Sequence, residues 1–211
     1  MYSAVLITAP STEPISVSEL KVHLRLDTAY TADDAYLVTL LAAARQKIED
    51  FTGRGLITQT WRLTMDRYPA EPHFELPMAA PLQSITSFTY RDTSGSQITV
   101  DTSVYTADTN AMPGRLCLKT GQSYPSASTF ISSPIQVTYI VGHSSVSAIP
   151  PVFKQALMLL SGHLYENRQG EAPVAKYNAQ VSADLPASVK SLLYTHRIQT
   201  PCPIVRGLEA V

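Results

Sequence analysis

The chain has 211 residues, 45% of them hydrophobic and only 16% charged, with a formal net charge of −1. That balance excludes a protein that neutralises many phosphates, since nucleic-acid readers carry a basic surplus; spots such as Arg62/Arg67 and Arg197/Arg206 are too sparse to supply one. A neutral wall past which DNA slides is compatible with it. The charged fraction lies well below the roughly 25% usual in soluble domains. A surface that meets protein over much of its area accounts for this, because interface cores are depleted in charge; a Ser/Thr-rich β region accounts for it equally well. Cys117 and Cys202, the only cysteines, are isolated and suit a reducing cytoplasm rather than zinc or a disulfide scaffold. The N-terminus lacks the basic region and long apolar core of a signal peptide. No window approaches the ~18 apolar residues of a membrane span, so the chain is expected to be soluble.

Residues 1–15 read as extended, with a short apolar run before Pro10 and Pro14. Ser16-Val17-Ser18-Glu19 is a capping box that opens a short helix ending near Leu26. Thr31 is the expected N-cap of a longer second helix, with Asp33 and Asp34 in its first turn. Leu37, Leu40, Leu41, Ala44, Ile48 and Phe51 form one apolar stripe. Gly53 fits the left-handed position that stops a helix.

From Thr58 the period changes to two. Thr60–Met65, Ile85–Tyr90, Gln97–Val100, Val104–Thr106, Arg115–Leu118 and Ile135–Val141 read as strands separated by turn signals. Six or seven strands in about 85 residues predict a small antiparallel sandwich or barrel. Helix returns after Ile149-Pro150-Pro151, since proline suits a first turn. Residues 152–165 are apolar almost all round. Residues 168–184 are polar and punctuated and read as a mobile loop, and Leu185-Pro186-Ala187-Ser188 opens a last helix carrying Val189, Leu192 and Leu193.

Catalytic chemistry finds little support. His23, His73, His143, His163 and His196 are scattered, and the lone His163/Glu166 pair falls short of a four-ligand metal site. No HExxH, GxSxG or phosphate-cradling glycine loop occurs. No catalytic residue, metal or cofactor is therefore assigned. Two features point to interaction instead. Helix 152–165 offers Phe153, Leu157 and Leu160 as a subunit interface, although a central bundle helix is the commoner explanation. The tail after Thr200 carries Ile204, Val205, Leu208 and Val211 beyond Pro201 and Pro203, and reads as an arm that orders on a partner.

These elements resemble a known family. Pro14-Ile15-Ser16-Val17-Ser18-Glu19-Leu20-Lys21-Val22-His23-Leu24-Arg25-Leu26 is similar to the opening of phage head–tail connector (adaptor) proteins, the gene-product-six-like family. So are Ile48–Arg54, Leu56–Trp61, the helix start at Ile149–Val152 and the segment Leu185–Leu193. The resemblance implies an α+β fold: a core of about four helices, with an antiparallel β sandwich or barrel inserted between the second and third. The boundaries expected are 1–57 and 142–200 for the helical core, 58–141 for the insertion and 201–211 for the arm. The large insertion departs from shorter members of the family, and its role is not carried over. The resemblance further implies a structural protein without enzymatic activity. It would form a twelve-fold homo-oligomeric ring under the portal, in the virion neck, with double-stranded DNA in its lumen and a further neck or tail completion protein below. Arg45 and Arg54 would meet a neighbour's carboxylates; plain solvent exposure is their other explanation. Two competing readings are a tail-side completion protein and a virion binding module. The latter would use Trp61, Tyr90, Tyr105, Tyr124 and Tyr139 as an exposed aromatic platform, although such residues are more often cross-strand pairs.

Overall fold

The computed structural model describes residues 2–127, 132–167 and 185–198. Among these the chain forms β1 (Tyr2–Thr8), α1 (Val17–His23), α2 (Asp34–Thr52), β2 (Gln59–Met65), β3 (His73–Glu75), β4 (Leu82–Arg91), β5 (Gln97–Thr99), β6 (Tyr105–Asp108), β7 (Arg115–Leu118), β8 (Ile135–Val141), α3 (Pro151–Glu166) and α4 (Ala187–Leu193). They fall into two compact units. One is β-rich and holds Met1–Ser11 with Gly53–Ser145; the other is helical and holds Thr12–Thr52 with Val146–Arg197. The fold is α+β, with all the β elements after β1 lying between α2 and α3 in the chain.

In the β unit, a five-stranded antiparallel sheet runs in the order β1-β2-β8-β4-β5, and a three-stranded one in the order β3-β7-β6. β8 shows why the residues choose this form. Ile135, Val137, Tyr139 and Val141 are fully buried, while Gln136, Thr138 and Ile140 between them are half-buried. That is the two-residue alternation of a strand with one face on a core. Both sheets feed one hydrophobic cluster: Leu63, Phe88 and Val137 come from the larger, Phe74, Tyr105 and Leu116 from the smaller. Phe88 and Tyr105 meet edge to face, ring centroids 5.4 Å apart, a favoured aromatic geometry. Gly142 closes the end of β8. Its φ is +92°, and a Cβ there would run into the Ile57 carbonyl, beside the isolated parallel bridge between Ile57 and His143. Only glycine fits that approach.

β1 differs from the extended run expected at the start of the helical core. It pairs antiparallel with β2, from Tyr2 opposite Met65 to Thr8 opposite Thr60. The reason is local: Tyr2-Ser3-Ala4-Val5-Leu6-Ile7-Thr8 has no charge or proline to block a ladder. Leu56 and Ile57, which the sequence reading places with the helices, are also buried in the β unit.

In the helical unit, the Ser16 N–H donates to the Glu19 carboxylate at 2.7 Å while the Glu19 N–H donates to Ser16 Oγ at 3.2 Å, completing the capping box. α1 stops earlier than its apolar pattern suggests. Arg25 takes a left-handed φ of +57°, and the Leu26 N–H turns back to the Lys21 carbonyl at 2.9 Å, which is how a chain leaves a helix. α2 starts at Asp34, whose N–H reaches the Thr31 carbonyl at 3.1 Å, so Thr31 contributes its backbone. It ends at Gly53, φ +68°. Leu37, Leu40, Leu41, Ala44 and Ile48 are all buried, joined by Phe153, Ala156, Leu157 and Leu160 of α3 and by Val189 and Leu193 of α4. Each such leucine contributes about 1.5–3 kcal/mol relative to exposure.

Candidate functional site

Polar side chains inside the helical unit serve structure. Lys21 is only 4% exposed; its ammonium donates to the Tyr30 carbonyl at 2.7 Å and pairs with Asp34. Tyr165 Oη donates to Asp33 at 3.0 Å. Arg45 is likewise buried, not exposed. Its Nε donates to Glu13 at 2.9 Å and its Nη1 to Glu49 at 2.7 Å. The spacing of Arg45 and Glu49, one turn apart on α2, brings that pair together. The guanidinium is thus committed within its own chain, which corrects the expectation of contacts to a neighbour's carboxylates. Arg54 lies in the β unit, half-buried, its Nη1 3.7 Å from Met112 Sδ. Burial pulls its pKa below the usual arginine range, and burial followed by the Arg54 charge lowers that of His143.

The three apolar residues expected at an interface are also placed otherwise. Phe153, Leu157 and Leu160 are between 0 and 2% exposed, in the core of the helical unit. α3 is apolar all round because α1, α2 and α4 all pack on it, and this leaves those three side chains no surface for a neighbour. Pro201, Pro203, Ile204, Val205, Leu208 and Val211, as well as the loop 168–184, lie outside the described residues.

The aromatic platform does not form. Tyr139 and Tyr105 are buried, and Trp61, Tyr90 and Tyr124 are half-buried against the β core. The Tyr139 hydroxyl donates to the Pro77 carbonyl at 2.8 Å. Tyr124 stacks on Tyr68 with centroids 4.6 Å apart, and burial pushes its pKa up to about 12. Among the described residues no cluster of three metal-capable side chains occurs, and no helix is long and apolar enough to cross a membrane.

What the surface does offer is uncharged, apolar ground. On α2 no charged residue stands between Asp34 and Arg45, and the outward side of those turns presents Tyr36, Val38, Thr39 and Ala43. Val38 is 50% exposed and borders a groove of about 380 Å³ that Ile15, Val17, Leu41 and Val146 also line, with Glu13 and Glu19 among its polar residues. In the β unit, Val5, Leu6 and Ile7 of β1 are 51, 39 and 45% exposed. Three consecutive residues of a strand alternate between faces, so the second half of β1 is exposed on both, while Tyr2 and Ala4 in its first half are half-buried. The sequence carries the signal for both surfaces, in the gap between charges from 34 to 45 and in the uncharged start. Apolar periodicity alone does not reveal them, because it marks buried faces.

Such surfaces suit a protein that works by assembly. The family model of the phage gp6-like head-tail connector proteins matches residues 14–114, from the capping-box helix into the β unit. Residues 14–114 of the chain match this connector family. The family is one of structural proteins, not enzymes. No curated protein matches the chain. Among solved structures, a chain from the neck of an empty gene transfer agent particle, computed with C6 symmetry, is similar with a TM-score of 0.76 and 25% identity, covering 94% of this chain and 97% of that chain. A chain from the virion of a native gene transfer agent particle gives 0.74 and 26%, covering 94% and 96%. A chain from the neck of the native particle, computed with C12 symmetry, gives 0.70 and 24%, covering 93% and 97%, a likeness of fold alone. The shared coverage extends through the β strands as well as the helices, so the insertion belongs to a shape known in virion necks.

Proposed function

We propose that this connector is a structural subunit of the neck of a tailed phage or phage-like particle, where copies assemble into a twelve-fold ring beneath the portal. The observation that carries the reading is the family match over residues 14–114, joined to a likeness over nearly the whole chain to particle-neck proteins. The C6 and C12 symmetries of those necks support a ring of copies.

Physically, such a subunit works by burial. Head-to-tail contacts between unlike surfaces close into a ring when the rotation between copies allows. Each contact needs on the order of 1,000 Å² of buried surface, and the uncharged face of α2 with its groove suits that purpose. A net charge of −1 is compatible with a lumen through which double-stranded DNA passes without being read. The C-terminal arm, Pro201 to Val211, attaches the ring to the portal, its ordering delayed until that partner is present. The opposite side of the ring receives the next neck or tail completion protein. The deciding experiment is electron microscopy of purified particles with this subunit's density located. A ring of copies between portal and tail is expected. Density in the tail tube or tip, or absence from the particle, refutes the reading.

A further inference from the structure

The ring leaves open which surfaces join, and the sheet edges narrow the choice. Four strands end a sheet among the described residues: β1 and β5 in the larger, β3 and β6 in the smaller. Natural edge strands are shielded by charges, prolines or bulges, because an open row of N–H and C=O groups recruits further strands. The smaller sheet follows that rule. β3 carries His73 and Glu75, and β6 ends on Asp108, held by Arg115 at 2.7 Å. The larger sheet has neither charge nor proline in its two end strands, and what shielding it has is a register irregularity in β1 between Leu6 and Thr8 and the three-residue length of β5. β1 has no charged residue and exposes Val5, Leu6 and Ile7; β5 is Gln97-Ile98-Thr99, fully uncharged, with Ile98 37% exposed.

We propose that β1 of one copy pairs with β5 of the next, so that the five-stranded sheets run on from subunit to subunit around the ring. This rests on the ring reading above and names its contact. A ring needs two different patches on opposite sides of the subunit. The two ends of a five-stranded sheet are such patches, about 19 Å apart at ~4.8 Å per strand. The polarity is determined as well. Each neighbouring pair in the order β1-β2-β8-β4-β5 is antiparallel, so β1 and β5 run the same way and the joint between copies is parallel. A two-fold dimer would instead set β1 antiparallel to β1, and a dimer of that kind does not propagate to a ring. β5 is three residues long, so the ladder sets the register of the contact while other surfaces of the same neighbours supply most of its area.

The test uses full-length protein added to heads lacking this subunit, in a Cys117→Ser/Cys202→Ser background. Leu6→Cys and Val5→Cys are each combined with Ile98→Cys, and particles are oxidised and run on non-reducing gels. A ladder of multimers from a double variant, absent from the single variants, is expected. In parallel, Val5→Lys/Ile7→Lys should lower ring occupancy at least tenfold while circular dichroism and Trp61 fluorescence melts stay at wild-type values; Ile98→Lys should act in the same direction. Cross-linking by Leu6→Cys alone would mean a two-fold β1 contact and overturn the proposal. Rings of normal occupancy with the lysine variants, or rings without any cross-link, would overturn the edge contact and leave the ring standing. Absence of a ring in wild-type particles would remove both.

Discussion

Arg45 provides the sharpest test of the helical unit. Its side chain is 10% exposed and bridges Glu49, at 4%, and Glu13, at 20%. Replacing it with alanine takes the guanidinium away from both carboxylates, one of them almost wholly out of water. Breaking a buried pair from one side costs about 3–5 kcal/mol, because the remaining charge stays desolvated. Glu13 is less deeply placed and can hydrate, so the cost arises chiefly at Glu49. Replacing both ends of the inner pair, as in Arg45→Met/Glu49→Leu, removes that stranded charge and should recover most of the loss. Urea unfolding followed by circular dichroism at 222 nm reads the helices, whereas the single tryptophan, Trp61, reads the β unit. The dichroism transition of Arg45→Ala should move to lower urea by the amount above. If Arg45→Ala costs under about 1 kcal/mol, or if the double variant is as unstable as the single one, the argument from stranded charge is wrong.

Further outcomes follow from the same geometry. Leu157→Ala should destabilise the isolated subunit by about 2–5 kcal/mol, since the side chain is fully buried, whereas Val38→Ala should change it by under about 0.5 kcal/mol; equal effects in urea titrations would contradict the assignment of α3 to the core. Gly142→Ala should cost roughly 3 kcal/mol or more, because its φ and the Ile57 carbonyl both exclude a side chain, and the Trp61 fluorescence transition would report it. The Ser16 backbone N–H, and next its hydroxyl, hold the Glu19 carboxyl below the usual glutamate range. A depressed carboxyl pKa gives stability that is present above the unfolded value and lost as pH falls through the folded one. An NMR titration should place the Glu19 midpoint below that of an unstructured glutamate, and Ser16→Ala should raise it while costing about 0.5–2 kcal/mol. Deleting residues 201–211 should abolish attachment to heads without changing the melting curve; unchanged attachment would remove the arm from the mechanism.

Much of this architecture is legible in the chain, for reasons particular residues show. The capping box at Ser16–Glu19 and the stop at Gly53 are local chemistry, so they read directly. The alternation in Ile135–Val141 does the same for β8. β1 escapes because its pairing partner, β2, lies more than fifty residues away, and strand pairing at that range leaves no local mark. Arg45 is misread for a related reason: an arginine next to alanines looks exposed until Glu13 folds over it. Phe153, Leu157 and Leu160 are ambiguous in principle, since an all-round apolar helix looks the same whether siblings or neighbours cover it.

The placement of β1 has a consequence for how the two units could be separated. The β unit draws its first strand from before α1 and the rest from between α2 and α3. Residues 53–145 alone therefore supply this sheet without its β1 strand. The reverse holds for gene trimming: a minimal helical version must lose both segments, since removing only the insertion strands an uncharged, apolar heptapeptide at the N-terminus, a sequence suited to aggregation.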